Sequence, residues 1–363
     1  MLSANTWVPS SRDDHGEVVN ADAQSIASIL LGRAHPGPVS DAWWQNEYEL
    51  RLRTLTGAVP ELRDYGVDPI ALARVLGHPT VGLRARAASA ESANHWAPVT
   101  AALRLHADGV DAAIDELRST EKWADRVVHL PGTGLVCDMS TGTIRSLPIV
   151  GGIEVNGRDH DLTSWSDHVD VDPTADWVAL VTEGLAFVGE LDEPEFADAT
   201  SLTTVVVPLQ QRDGGIVGRS RYEIESGSVA DAVGAVFLSP GDGDRVYFAE
   251  ALVHESYHHL LNAAVHIVAF ELKNDQMLCS PWKPMPRPVL ALLHGIVAFS
   301  SVMRFWRRVS EVRADWSSFA DQLVARRARE ILDASTTLLE AEVLTAAGSE
   351  LVVAAASDAR GVV

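Results

Sequence analysis

The chain has 363 residues, of which 47% are hydrophobic, enough for one large domain or two ordinary ones with a real core. A formal charge of −21, concentrated in residues 126–250 with 7 basic and 21 acidic side chains, argues against a nucleic-acid partner and favours a solvated acidic surface or attraction to a basic peptide. Cys137 and Cys279 are the only cysteines, which excludes a disulfide framework and a thiolate metal cage.

The first third is predicted to be helical. Apolar positions recur at spacings near three and four over Ala21 to Leu31, Ala42 to Leu55, Pro69 to Leu76 and Val99 to Leu105. Pro36, Gly37 and Pro38, then Gly77 and Pro79, punctuate these runs. From about residue 126 short β-branched segments take over: Val127 to Leu130, Gly134 to Cys137, Gly152 to Val155, Thr203 to Leu209 and Val233 to Leu238. The acidic stretch Glu190 to Asp198 and the run Asp213-Gly214-Gly215 read as surface loops. Long helices return over Val246 to Phe270, Pro288 to Val309 and Trp316 to Leu344.

The expected fold class is therefore α+β with a helical majority: an N-terminal helical region over 1–125, a central short-strand sheet, and C-terminal helices. Residues 126–363 would form the catalytic region, with a metal site within 246–310, although one continuous domain fits equally. No internal repeat is visible. No apolar stretch reaches the roughly 20 residues of a membrane span, since Leu290 to Phe299 contains His294 and Gly295. The start Met1-Leu2-Ser3-Ala4 lacks a basic region followed by an apolar one. A cytoplasmic protein with no membrane partner is the expectation.

The segment His254-Glu255-Ser256-Tyr257-His258 carries the chemistry. On a helix, His254 and His258 fall one turn apart on the stripe that also holds Tyr247, Ala251, Leu261 and Val265. Buried imidazoles need a hydrogen-bonding or metal partner, and two of them four residues apart can share one cation. Glu255 projects about 100° away, a position for an outer-sphere carboxylate or a general base beside a metal-bound water. His259 lies on the Glu255 side, where a bond between the two at i, i+4 is the ordinary reading.

A third ligand must come from elsewhere, because His259-Leu260-Leu261-Asn262 follows the motif in place of the metalloprotease continuation. His294, on the inward face of the next helix with Leu290, Val297 and Phe305, is the leading candidate. Glu271, Asp275 and Glu311 are the carboxylate alternatives. The stiff approach Ser280-Pro281-Trp282-Lys283-Pro284-Met285-Pro286-Arg287-Pro288 holds two cations near that helix start, as an anion site or as a plain connector.

Taken together, Leu252-Val253-His254-Glu255-Ser256-Tyr257-His258, Ser280-Pro281-Trp282, Arg287-Pro288 and Leu293-His294-Gly295 resemble the HExxH-motif peptide-modification family, the iron and 2-oxoglutarate dependent peptide β-hydroxylases of ribosomal natural-product biosynthesis. The resemblance covers about residues 220 to 310, with Ser226 to Pro240 as a lead-in. It implies Fe(II) on His254, His258 and His294, with 2-oxoglutarate as co-substrate and a precursor peptide as substrate, hydroxylated at a side-chain β-carbon. Arg287, with Arg304 in reserve, would pair with the distal carboxylate of 2-oxoglutarate, since a guanidinium presents a planar fork. Three histidines depart from the better-known triad of two histidines and a carboxylate, so a carboxylate ligand stays open. Gly234 to Leu238 reads as a core strand, or alternatively as an edge that holds an extended peptide.

Two other readings stand beside this one. A zinc metallopeptidase would use the same histidines, with Glu255 as general base. A noncatalytic peptide-binding protein would use them to close a structural zinc site.

Overall fold

A computed structural model describes residues 23–87, 92–123, 126–157, 159–163, 174–209, 224–241, 243–272 and 275–363. The expected loop at Asp213-Gly214-Gly215 lies outside the described residues. The helical majority of an α+β fold is observed. The chain divides into two compact units, one of Met1–Gly16, Trp44–Glu183 and Thr203–Asp244, the other of Glu17–Trp43, Gly184–Leu202 and Arg245–Val363.

In chain order the N-terminal helices are α1 (Ala23–Leu30), α2 (Gly37–Ala58), α3 (Pro69–Gly77), α4 (Pro79–Arg86), α5 (Ala93–Asp108) and α6 (Val110–Arg118). Local chemistry explains where α3 and α4 begin. Pro69 and Pro79 occupy first-turn positions where a missing N–H costs nothing, and the Asp68 carboxylate accepts from the Ala71 amide at 3.0 Å. A hairpin meander follows, β1 (Val127–Leu130), β2 (Leu135–Asp138) and β3 (Thr143–Ser146), paired antiparallel in that order. The fully buried Trp96 and Trp123 anchor the core shared by α2 to α6 and these strands, each burial contributing at least the ~1.5–3 kcal/mol of a large apolar side chain.

Next come β4 (Ile149–Val150), β5 (Ile153–Val155), the short α7 (His160–Thr163), α8 (Ala175–Glu190), α9 (Pro194–Thr200), β6 (Val205–Pro208), β7 (Ser226–Ser228) and β8 (Ala235–Leu238). The five strands form one sheet in the order β4-β5-β6-β8-β7, parallel across β5, β6 and β8. Every residue of β6 and β8 is buried, which is why both read as unbroken apolar runs instead of alternating. β8 is bonded to β6 on one side and β7 on the other. The core-strand reading of Gly234 to Leu238 holds, and the edge-strand alternative does not.

One loop expectation is overturned. Within Glu190 to Asp198, α8 ends at Glu190 and α9 starts at Pro194. Pro194 is preorganised for a first helical turn, and burial of Phe196, Ala199 and Thr200 fixes α9 while its acidic side chains remain outside the core.

The second unit is built on α10 (Arg245–Val265), the two-residue strands β9 (Met277–Leu278) and β10 (Arg287–Pro288), then α11 (Val289–Val312), α12 (Ser317–Glu340) and α13 (Ala346–Arg360). α11 packs on α10, α12 and α13, and α1 packs on α13. It is the one helix among the described residues long and apolar enough to cross a membrane, and 72% of its most apolar window is buried inside the fold. α10 stops at Val265, short of the expected Phe270. Its last turn tightens through Ile267 N to Ala264 O at 2.9 Å, and the chain then pairs with residues 343–345, Leu272 N donating to Val343 O at 2.8 Å and Thr345 N to Phe270 O at 3.1 Å. The same pairing ends α12 at Glu340 instead of Leu344. Pro288 is the residue before α11 and not its first.

Candidate metal centre

α10 places His254 and His258 on one face one turn apart, and their Nε2 atoms stand 3.1 Å apart. That is a separation two nitrogens can keep while each lies ~2.0–2.1 Å from a shared ion. Glu255 is buried, its Oε1 3.9 Å from His254 Nε2. Ligand atoms of His254, Glu255 and His258 all lie within 4.8 Å of one another. α11 supplies His294, whose Nδ1 is 3.1 Å from His258 Nδ1. His258 shows a different ring nitrogen to each neighbour, so His294 contacts the side of that ring away from His254, outside the group formed by His254, Glu255 and His258.

Burial, then the neighbouring His258 and Arg327, hold the His254 imidazole well below its ordinary pKa. Burial alone takes His258 down to about 4. Burial, with His258 second, takes His294 down to about 3. All three are neutral at pH 7, so each carries a lone pair for a cation. The donor set fits a divalent transition metal.

The walls are aromatic. Phe299, one turn and a half along α11 from His294, contacts the His254 ring at 5.0 Å, and Trp282 stacks on Phe299 at 5.0 Å and 20°. Gly295 makes that stack possible, because a Cβ there would lie 2.4 Å from the Trp282 ring. Arg327 of α12 lies over the outer part of this cluster, its guanidinium carbon 4.3 Å from the Phe299 ring centre. Its Nη1 donates to Glu330 Oε2 at 2.7 Å, and Glu330 also accepts from Trp282 Nε1 at 3.2 Å. The Nε of Arg327 is buried with no hydrogen-bond partner among the described residues.

The two arginines singled out in the sequence are placed differently. Arg287 is exposed on β10, in register with Leu278. Arg304 donates through Nη1 to the Leu31 carbonyl at 2.9 Å and to the Tyr257 hydroxyl at 3.4 Å, and it covers Phe196. Gly32, at φ 62°, leaves room for that guanidinium, since a Cβ would fall 1.6 Å from its Nη1. Arg304 thus fastens α1 to α10.

Among the carboxylate alternatives, Glu311 pairs with Arg308 at 2.9 Å, 17 residues beyond His294 and so about 25 Å along the helix. Glu271 sits in the backbone bridge to Leu344, and Asp275 is exposed. Neither they, nor the buried His259, nor His294 as its ring now stands, belongs to the group of His254, Glu255 and His258. Sequence reasoning missed Arg327. Its signal was an arginine three residues after Val324 and four before Ile331, on the buried stripe of α12.

No family model matches this sequence, and no curated protein matches it.

Proposed function

We propose that this chain is an Fe(II) and 2-oxoglutarate dependent hydroxylase that acts on a side-chain β-carbon of a ribosomally made precursor peptide. The observation that carries the reading is the pair of neutral imidazoles His254 and His258 on one face of α10, with His294 of α11 against the second of them, beside a half-committed guanidinium and an aromatic wall. His254 and His258 would hold the ion through Nε2, and His294, whose ring faces the other nitrogen of His258, would have to swing to the Nε2 side to join them. When bound, Fe(II) with the keto acid and dioxygen supplies the oxidising power for an unactivated C–H bond, which the side chains of this protein lack.

Arg327 would receive the distal carboxylate of 2-oxoglutarate. Its Nη1 is spent on Glu330, while its buried Nε is available. Trp282 and Phe299 cover this side of the cluster and keep bulk water from it. Glu255 lies buried beside His254, its Oε1 3.9 Å from Nε2, where it would serve as an outer-sphere carboxylate. The overall balance is closed: 2-oxoglutarate loses carbon dioxide and is oxidised to succinate, and one atom of dioxygen enters succinate and the other the peptide.

A second reading has its own observation. Glu255 lies within the donor group, as the general base of a zinc peptidase would. Aerobic incubation of the iron-loaded chain with 2-oxoglutarate tests the choice. Oxygen-dependent succinate formation that disappears in His258→Ala supports the hydroxylase. Absence of succinate with a candidate precursor peptide present, accompanied by cleavage of that peptide in the zinc-loaded chain, supports the peptidase.

A further inference from the structure

The first unit holds a second histidine cluster that the reading above does not use. His78 lies between α3 and α4, His129 on β1, Glu154 on β5, and Asp159 just before α7. Four separate segments thus bring two imidazoles and two carboxylates together, and none of these side chains is more than 7% exposed. The imidazole rings face each other with centres 4.7 Å apart.

The two edges of this ring pair differ. On one edge, His129 Nδ1 is bonded to Asp159 Oδ2 at 2.8 Å. Asp159 is itself fixed there, accepting from the Thr80 hydroxyl and from the amides of Asp161 and Leu162 at 3.0 and 3.3 Å. On the other edge, Glu154 Oε1 lies 2.8 Å from His129 Nε2 and 3.7 Å from His78 Nε2. Asn156 Nδ2 steadies that oxygen from 2.7 Å. Among the described residues neither buried Nε2 makes a well-aligned hydrogen bond, and the 2.8 Å approach of His129 to Glu154 is an ion pair. Both nitrogens thus address one carboxylate oxygen, and His78, His129 and Asp159 also bring ligand atoms within 4.8 Å of one another.

We propose that this edge is a structural site for a divalent cation of the zinc class, ligated by His78 Nε2, His129 Nε2 and Glu154 Oε1. Asp159 then has the role that a carboxylate behind a metal-bound histidine performs: it takes the Nδ1 proton, fixes the tautomer and aims Nε2 at the ion. In the metal-free chain His78 Nδ1 accepts from the Thr80 amide at 3.4 Å, so ligation through Nε2 exchanges that long cap bond for the bond to the ion. The charges close as well. Burial opposes a charge on His129, but Glu154 and Asp159 outweigh it and raise its pKa to about 10 in the metal-free chain; once an ion displaces that proton the two carboxylates bring −2, and a divalent cation cancels it. Burial of all four side chains leaves no face for a substrate, so the ion would tie the α3–α4 junction to β1 and β5 instead of supporting a reaction.

The test is zinc binding by the full chain, with any affinity tag removed. After chelation and dialysis, elemental analysis of the zinc-reconstituted protein should give two equivalents, and His254→Ala/His258→Ala should keep one. In that double variant zinc should raise the melting temperature, Glu154→Gln should weaken binding at least 100-fold, and Asp159→Asn should weaken it about 10- to 100-fold. One equivalent in the parent chain and none in the double variant, with melting unmoved by zinc, would overturn the proposal and leave a metal-free ion-pair network. Binding unchanged by Glu154→Gln would overturn it too. Should Glu154→Gln fail to fold, the zinc content and melting shift of the double variant decide the matter without it.

Discussion

His258 and His294, 36 positions apart, meet through their Nδ1 atoms at 3.1 Å, while the far nitrogen of His258 stands 3.1 Å from His254. His258 is thereby the hub of the cluster, and the two flanking rings are its spokes. Replacing the hub should cost more than replacing a spoke. His258→Ala is expected to lower Fe(II) affinity at this site by more than about 100-fold and His294→Ala by about 10- to 100-fold, as measured by chelator competition. Circular dichroism should show both chains folded, because removing a neutral imidazole leaves no buried charge behind. Equal affinity in all three proteins would show that the imidazoles hold no metal.

Glu255 separates the two chemistries. A general base is indispensable to a metallopeptidase, whereas an oxygenase needs no proton abstracted at that point. Glu255→Gln should retain most of the succinate-forming activity, within about tenfold of the parent. Peptide cleavage by the parent, abolished in this variant, would instead identify a hydrolase.

Arg327 and Arg287 give opposite expectations. A charge-assisted hydrogen bond to a carboxylate contributes about 1.5–3 kcal/mol, so Arg327→Leu should raise the KM for 2-oxoglutarate roughly 10- to 150-fold. Arg327→Lys should recover part of that loss. Arg287→Ala should leave KM unchanged, since this side chain is exposed on β10. The reverse pattern in initial-rate kinetics would return the carboxylate to the proline-rich approach.

Gly295 is a steric test of the aromatic wall. Adding one methyl group drives it into the Trp282 ring, and overpacking of this kind costs about 1–3 kcal/mol. Gly295→Ala should therefore melt several degrees lower and should shift Trp282 fluorescence. An unchanged melting temperature would mean that the indole does not rest on this glycine.

Elements with a strong local cause were legible in the chain. Pro69 and Pro79 mark helix starts, β6 and β8 announce themselves as apolar runs, and the spacing of His254 and His258 places both on one helix face. What stayed hidden depended on partners distant in sequence. α9 looks like an acidic loop until Phe196 is seen buried. The end of α10 is decided by backbone pairing with residues 343–345, which no pattern near Val265 discloses. Arg327 gains its meaning from Phe299 and Glu330, and Arg304 is drawn away from the site by the Leu31 carbonyl. The buried group of His78, His129, Glu154 and Asp159 has no motif at all, because each member comes from a different element.

Anaerobic titration of 2-oxoglutarate into the Fe(II)-loaded chain, followed by visible absorption, probes the C-terminal histidine cluster most directly. A metal held by three imidazoles with adjacent positions open to the keto acid should develop a charge-transfer band that saturates at one equivalent and is missing in His258→Ala. Iron bound at full stoichiometry with no band at any concentration of the keto acid would contradict an open three-histidine centre.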